Sequence, residues 1–241
     1  MVPLLAFVVL AAVCGIGIEL RWQQRIHYQT LFGRSLVPAA VKRRLFELLE
    51  ELDKAFSANG IPYWLDWGTL LGAYRHRGFI PWDDDLDVTI CHDDHERALA
   101  LGDQFPPGVE LIEISQFWSC DKLIPGLARI WPCKTFLRLL DHRTNLYVDI
   151  FEMEKRPSGR LHMLPLSRIH CPKDHQGRQL MVDQAEVFPL EQVHFEAGSF
   201  PAPHNTQAYL HRLFGGDLSP DRVLDPATGK YVKKGRRAST D

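Results

Sequence analysis

The stretch 80–90, IPWDDDLDVTI, sets four aspartates within five positions directly against an apolar alternating run. Like charges at that density repel, so the run is either a solvated loop tip before a strand or a cation site. Side chains of a strand alternate between its two faces. That parity groups Asp83, Asp85 and Asp87 on one face and sends Asp84 to the other with Leu86, Val88 and Ile90. The chain must therefore build a sheet that is apolar on one side and carries carboxylates on the other. Mg²⁺ suits such a face, because it takes oxygen ligands and binds through one or two carboxylates plus substrate phosphates; Mn²⁺ accepts the same donors.

Periodicity supplies the surrounding elements. Val41, Leu45, Leu48, Leu49, Leu52 and Phe56 recur on one face of an amphipathic helix, and Asn59-Gly60 is its natural stop. Residues 63–65 read as a short strand and 66–69 as a turn, with Thr69 placed to cap a short helix over 70–74. A second strand fits 85–90, and Asp93 or Asp94 can cap a helix running to about residue 104. Strands follow at 109–114 and 146–151, whereas 115–145 gives no clean pattern. Beyond residue 151 the chain is rich in loops and prolines until a helix at 206–214 that ends at Gly215-Gly216. This order predicts an α+β domain with a mixed sheet flanked by helices.

The 241-residue length suits one medium domain with appendages. The division expected is an N-terminal hydrophobic anchor at 1–18, a polar stem at 19–37, the domain at 38–218, and a basic flexible tail at 219–241. The net charge of −2 offers no basic surplus for phosphate neutralisation, so no nucleic-acid partner is expected. The uncharged run 2–18 reaches the low end of the roughly 17–25 residues that span a membrane. It reads as an uncleaved anchor, with a signal peptide as the alternative. Arg21 and Arg25 follow it, which by the positive-inside rule argues against a lumenal domain. Of the five cysteines, Cys91, Cys120, Cys133 and Cys171 lie in the body and would allow two disulfides in an oxidising compartment. Cys91-His92 and His170-Cys171 invite a zinc reading, but no C-x₂-C pair accompanies them.

Two features strengthen the cation reading of the acidic run. Gly68-Thr69 follows a strand and opens a helix, where backbone N–H groups bind phosphate and glycine permits close approach. Arg75 and Arg77 lie between that turn and the aspartates, and guanidinium groups match phosphate oxygens bidentately. Asp149 is a lone carboxylate in the apolar strand sequence YVDIF, where burial without a partner is costly. A cation or a reacting hydroxyl would supply that partner. Trp67 and Trp82 flank these residues and read mainly as core packing.

A Gly-Thr turn, a strand-borne D-x-D and a later strand Asp, in that order, form the nucleotidyltransferase pattern. More narrowly, residues 63–90, YWLDWGTLLGAYRHRGFIPWDDDLDVTI, resemble the LicD family, which includes fukutin and fukutin-related protein. The resemblance continues at Val148-Asp149-Ile150-Phe151, at 195–203 and at 209–215, spanning about 40–217. Ala197 departs from it, because the family pattern has Glu followed directly by Gly.

The resemblance implies a nucleotidyltransferase-like fold that transfers a phospho-alcohol, such as phosphocholine or ribitol phosphate, from a CDP-alcohol donor to a glycan hydroxyl, releasing CMP. It implies that Asp83, Asp85, Asp87 and Asp149 hold Mg²⁺ (or Mn²⁺), with Asp85, Asp87 and Asp149 catalytic. Gly68, Thr69, Arg75 and Arg77 would bind the donor. It also implies a membrane-held protein of the Golgi or ER with a lumenal domain, opposite to the positive-inside argument. A D-x-D glycosyltransferase and a non-catalytic glycan-binding protein on the same fold are the rival readings. The first needs a nucleotide-sugar-binding unit of roughly a hundred residues before its D-x-D, more than precedes Asp83. The second would be expected to lose an acidic ligand.

Overall fold

The computed structural model describes residues 36–114, 136–164 and 173–234. A mixed sheet forms the centre. Its main path is β1 (Tyr63–Leu65), β2 (Leu86–Cys91), β5 (Leu146–Lys155), β4 (Phe136–Asp141) and β3 (Val109–Ile114), in that spatial order. Strands β2 and β5 run parallel, and the other neighbours are antiparallel. Strands β6 (Arg160–Met163) and β7 (Met181–Asp183) extend the sheet from the far end of β5.

Register defines the two faces. Val88, Ile150, Leu137, Leu139 and Val148 are fully buried and share one face. Helix α1 (Ala39–Ala58) covers it with Leu45, Leu48, Leu49, Leu52 and Phe56. The helix stops at Asn59, whose amide returns to Phe56 and Ser57, and Gly60 follows in the left-handed region at φ 61°. Arg44 of α1 pairs with the buried Asp141 of β4, Nε to Oδ2, at 2.7 Å. The short helix α3 (His95–Leu99) follows the 3₁₀ turn at His92–Asp94 and joins α1 on this side. The expected helix to residue 104 is thus broken into short turns.

The opposite face carries Asp87, Thr89, Asp149, Phe151 and Arg138. Helix α2 (Trp67–His76), helix α5 (Thr206–Phe214) and the hairpin of β8 (Glu191–Phe195) with β9 (Gly198–Ala202) cover part of it. A one-turn helix, α4 (Gln184–Val187), precedes that hairpin. Trp64 of β1 lies fully buried here, and its Nε1 donates to Tyr209 of α5 at 3.4 Å. The departure at Ala197 resolves as a two-residue loop, Glu196-Ala197, with Phe195 paired to Gly198.

Two sequence expectations change. Residues 219–234, read as flexible tail, contain a hairpin of β10 (Arg222–Asp225) and β11 (Lys230–Lys233). It docks through Tyr231, whose ring centroid is 4.7 Å from that of Trp82, with Arg222 over the same indole. Cys91 is a buried free thiol, which removes it from any disulfide pairing; Cys120, Cys133 and Cys171 lie outside the described residues. No helix among the described residues is long and apolar enough to cross a membrane, and the expected anchor at 1–18 lies outside them.

Candidate active site

The site is assembled where β2 begins. Strand pairing starts at Leu86, so strand parity governs Asp87 and not Asp83, Asp84 and Asp85. Freed from alternation, these three gather their carboxylates within 4.8 Å of one another. Asp84, expected on the other face, is instead buried within this cluster. Asp87 stands opposite Asp149 in the parallel register of β2 and β5. The carboxyls of Asp83 and Asp87 are both held well above the usual carboxylate range. Burial is the largest cause in each, followed by the negative charge of Asp85; Asp149 adds to the effect on Asp87. Asp85 and Asp83 are also hydrogen-bonded to each other, which requires a proton between them unless a cation replaces it. The four acids named from the sequence therefore form one electrostatic unit.

Helix α2 delivers its N-terminus to this unit. Its cap is Asp66 and not Thr69: the Asp66 carboxylate accepts from the Trp67 amide at 2.7 Å. Fully buried, Asp66 also accepts from the hydroxyls of Thr89 and Tyr209, which ties α2, β2 and α5 together. Burial raises its carboxyl to about 6, against the pull of those three donors. Thr69 lies in the first turn, and its hydroxyl accepts the Asp87 amide at 2.8 Å. Gly68 packs against Asp83 so closely that a Cβ would lie 2.7 Å from Oδ2. Trp67 takes φ 44°, the left-handed region that favours glycine. Strain of this kind persists only where the surroundings over-determine it, and it clusters at functional sites.

Arginines take unexpected places. Arg75 Nε donates to the Leu218 carbonyl, and Nη1 lies 3.6 Å from Asp221, so this guanidinium is committed to the C-terminal segment. Arg77 is exposed and forms the left-handed C-cap of α2. Among the described residues, the guanidinium that does meet the acids is Arg138 of β4. It grips Asp149 bidentately, Nε to Oδ1 at 2.6 Å and Nη2 to Oδ2 at 3.0 Å, and stacks 3.4 Å over the Tyr147 ring. An arginine alternating with leucines in FLRLL is the sequence signal that could have found it. Lys42 of α1 is a second cation nearby. Burial lowers its ammonium pKa, while the charges of Glu196 and Asp83 act to raise it.

A cation fits this donor set. The ligands are hard oxygens, Asp83 and Asp85 share a hydrogen bond, and burial followed by neighbouring negative charge holds the carboxyls of Asp83 and Asp87 high.

A mixed sheet with paired acids at one strand mouth and a helix N-terminus beside them defines a nucleotidyltransferase-type domain. The chain matches the family model described as LicD/FKTN/FKRP, nucleotidyltransferase domain, over residues 60–205, and it belongs to that family. It is similar to the lipopolysaccharide cholinephosphotransferase LicD of Haemophilus influenzae, 32% identical over 115 residues, covering 46% of this chain and 42% of that protein. It is also similar to the mouse ribitol-5-phosphate transferase FKTN, 36% identical over 89 residues, 36% of this chain and 19% of the relative. The human ribitol 5-phosphate transferase FKRP is 39% identical over 64 residues, 27% of this chain and 13% of the relative. The chain thus spans less than half the length of each of these relatives.

Proposed function

We propose that this domain transfers a phospho-alcohol from a CDP-activated donor to a glycan hydroxyl, using a divalent cation held by Asp83, Asp85, Asp87 and Asp149. The observation that carries the reading is the convergence of these four carboxylates beside the N-terminus of α2. Relatives named as phosphocholine and ribitol-phosphate transferases support the transferred group.

In the proposed reaction the acceptor oxygen bonds to the phosphorus that bears the alcohol. The bond from that phosphorus to the bridging oxygen breaks, and CMP leaves with the electron pair. When bound, Mg²⁺ (or Mn²⁺) supplies charge neutralisation for the diphosphate oxygens. The chain's own residues supply placement, the main resource in phosphoryl transfer. Gly68 and the first-turn amides of α2 offer N–H groups to phosphate. Asp149 keeps lone pairs beyond the two bonds from Arg138, since a carboxylate offers about four acceptor sites, and it takes the acceptor hydroxyl's proton. Arg138 holds Asp149 in orientation. Arg75 shapes the site through the C-terminal segment, and Arg77 is left to reach the donor from its exposed position. The apolar run 2–18 supports a membrane-held enzyme in this reading, with a lumenal domain of the Golgi or ER drawn from the family resemblance.

The deciding experiment incubates full-length protein in detergent with CDP-choline, CDP-ribitol or CDP-glycerol, Mg²⁺ and glycan acceptors, and measures CMP. CMP release that needs both Mg²⁺ and Asp85 is the expected result. No release from any donor would favour the non-catalytic reading, and turnover of nucleotide sugars instead would favour a glycosyltransferase.

A further inference from the structure

A second constellation lies on the opposite face of the sheet and at the other end of β2. His92 and His95 follow the strand three residues apart, His92 on the turn after β2 and His95 at the first position of α3. Both direct Nδ1 at one carboxylate, Glu152 of β5: His92 to Oε2 at 2.5 Å and His95 to Oε1 at 2.6 Å. Glu152 is 2% exposed and is flanked in sequence by Phe151 and Met153. Strand parity sets it on the α1 side, whereas Asp149 faces the acidic site. Nothing in the transferase reading uses these three residues.

We propose that His92, His95 and Glu152 form a zinc site independent of the acidic centre. Two imidazole nitrogens and one carboxylate match the ligand chemistry of Zn²⁺, whose sites combine His and Asp or Glu. The ligand atoms come from the turn, α3 and β5 and lie within 4.8 Å of one another. A divalent cation would compensate the charge of a carboxylate this deeply buried. Zn–N and Zn–O bonds of about 2.0–2.2 Å at tetrahedral angles set ligand atoms about 3.3 Å apart, so each Nδ1 must draw back from Glu152 by about 0.7–0.8 Å. The half-exposed His92 side chain can yield that movement and leaves one side open for a water ligand. Metal on Nδ1 moves the ring proton to Nε2. In His95 that nitrogen already faces a carboxylate, Glu113 Oε1, at 3.7 Å. An outer carboxylate opposite a ligating histidine is the usual supporting partner of zinc sites.

The test titrates full-length protein in detergent with Zn²⁺ against a competing chelator, and repeats the titration with Co²⁺ to record its visible spectrum. One Zn²⁺ per chain is expected, with the intense Co²⁺ bands of a nitrogen-containing low-coordinate site. His92→Asn and Glu152→Gln should each weaken Zn²⁺ binding by roughly 10–100-fold or more, the loss typical even of outer partners. Asp85→Asn should leave this affinity unchanged, which separates the site from the acidic centre. If Glu152→Gln does not fold, the exposed His92→Asn decides alone. Folded wild-type protein that takes up no Zn²⁺, or affinity unaltered by His92→Asn, overturns the proposal.

Discussion

Asp66 illustrates how one side chain can secure a site without belonging to it. Its carboxylate caps α2 and gathers the Thr89 and Tyr209 hydroxyls in a fully buried position. Its folded pKa of about 6 lies above the ordinary 3.8, so the folded state binds this proton more tightly than the unfolded state. Its contribution to stability is therefore fully present below 3.8 and is lost as pH rises through about 6. Asp66→Asn keeps an acceptor for the Trp67 amide but removes the titration. Urea unfolding across that window should show wild-type stability falling relative to Asp66→Asn as pH rises. Gly68 makes the complementary point about space. Gly68→Ala places a methyl 2.7 Å from Asp83 Oδ2 and must displace that carboxylate. Misplacement on the ångström scale at a reacting centre costs about 10²-fold, so donor turnover should fall by that order while thermal unfolding changes little.

Elements differ in how readily their sequences declare them. Helix α1 is legible because six apolar residues repeat on one face, and β2 because its alternation is regular up to Cys91. The four acids are legible as candidates for the same reason. What parity could not tell is that strand pairing begins only at Leu86, which frees Asp83, Asp84 and Asp85 to cluster. The cap of α2 falls on Asp66 because burial against Tyr209, a contact between residues 143 apart, decides it. Arg138 escapes the reading because its meaning lies in the neighbouring strand, where register sets it against Asp149. The cross-strand pair makes a prediction of its own. Arg138→Lys keeps the charge and loses the bidentate grip on Asp149. CMP release should fall about 10–100-fold through kcat, with Mg²⁺ dependence retained, if Arg138 orients the carboxylate during reaction. Asp149→Asn should cost more, about 10²–10³-fold, because it removes charge directly from the reacting centre. Equal losses in the two variants would argue against a purely orienting role for Arg138.

At the scale of the whole molecule, the sheet separates two kinds of work. The face under α1 carries most of the apolar packing, with the Arg44–Asp141 pair and the Glu152 cluster set into it, and the face under α2 and α5 tolerates a group of mutually repelling acids. Asp83 and Asp87 have folded pKa values raised well above 3.8, chiefly by burial and then by Asp85. Without a cation, each contributes stability that is complete below the ordinary carboxylate pKa and is lost as pH rises through its raised value. A bound cation reverses that trend, because it binds the ionised carboxylates of the folded chain. Mg²⁺ at about ten times its dissociation constant should add about 1.4 kcal/mol, or roughly 3–6 °C in Tm for a domain of this size. That gain should be largest near neutral pH, shrink as the medium is acidified toward the raised pKa values, and vanish in Asp85→Asn. Scanning calorimetry of wild type and variant at several pH values, with and without Mg²⁺, checks all three. A Mg²⁺ shift that grows on acidification would place the ion somewhere other than these carboxylates.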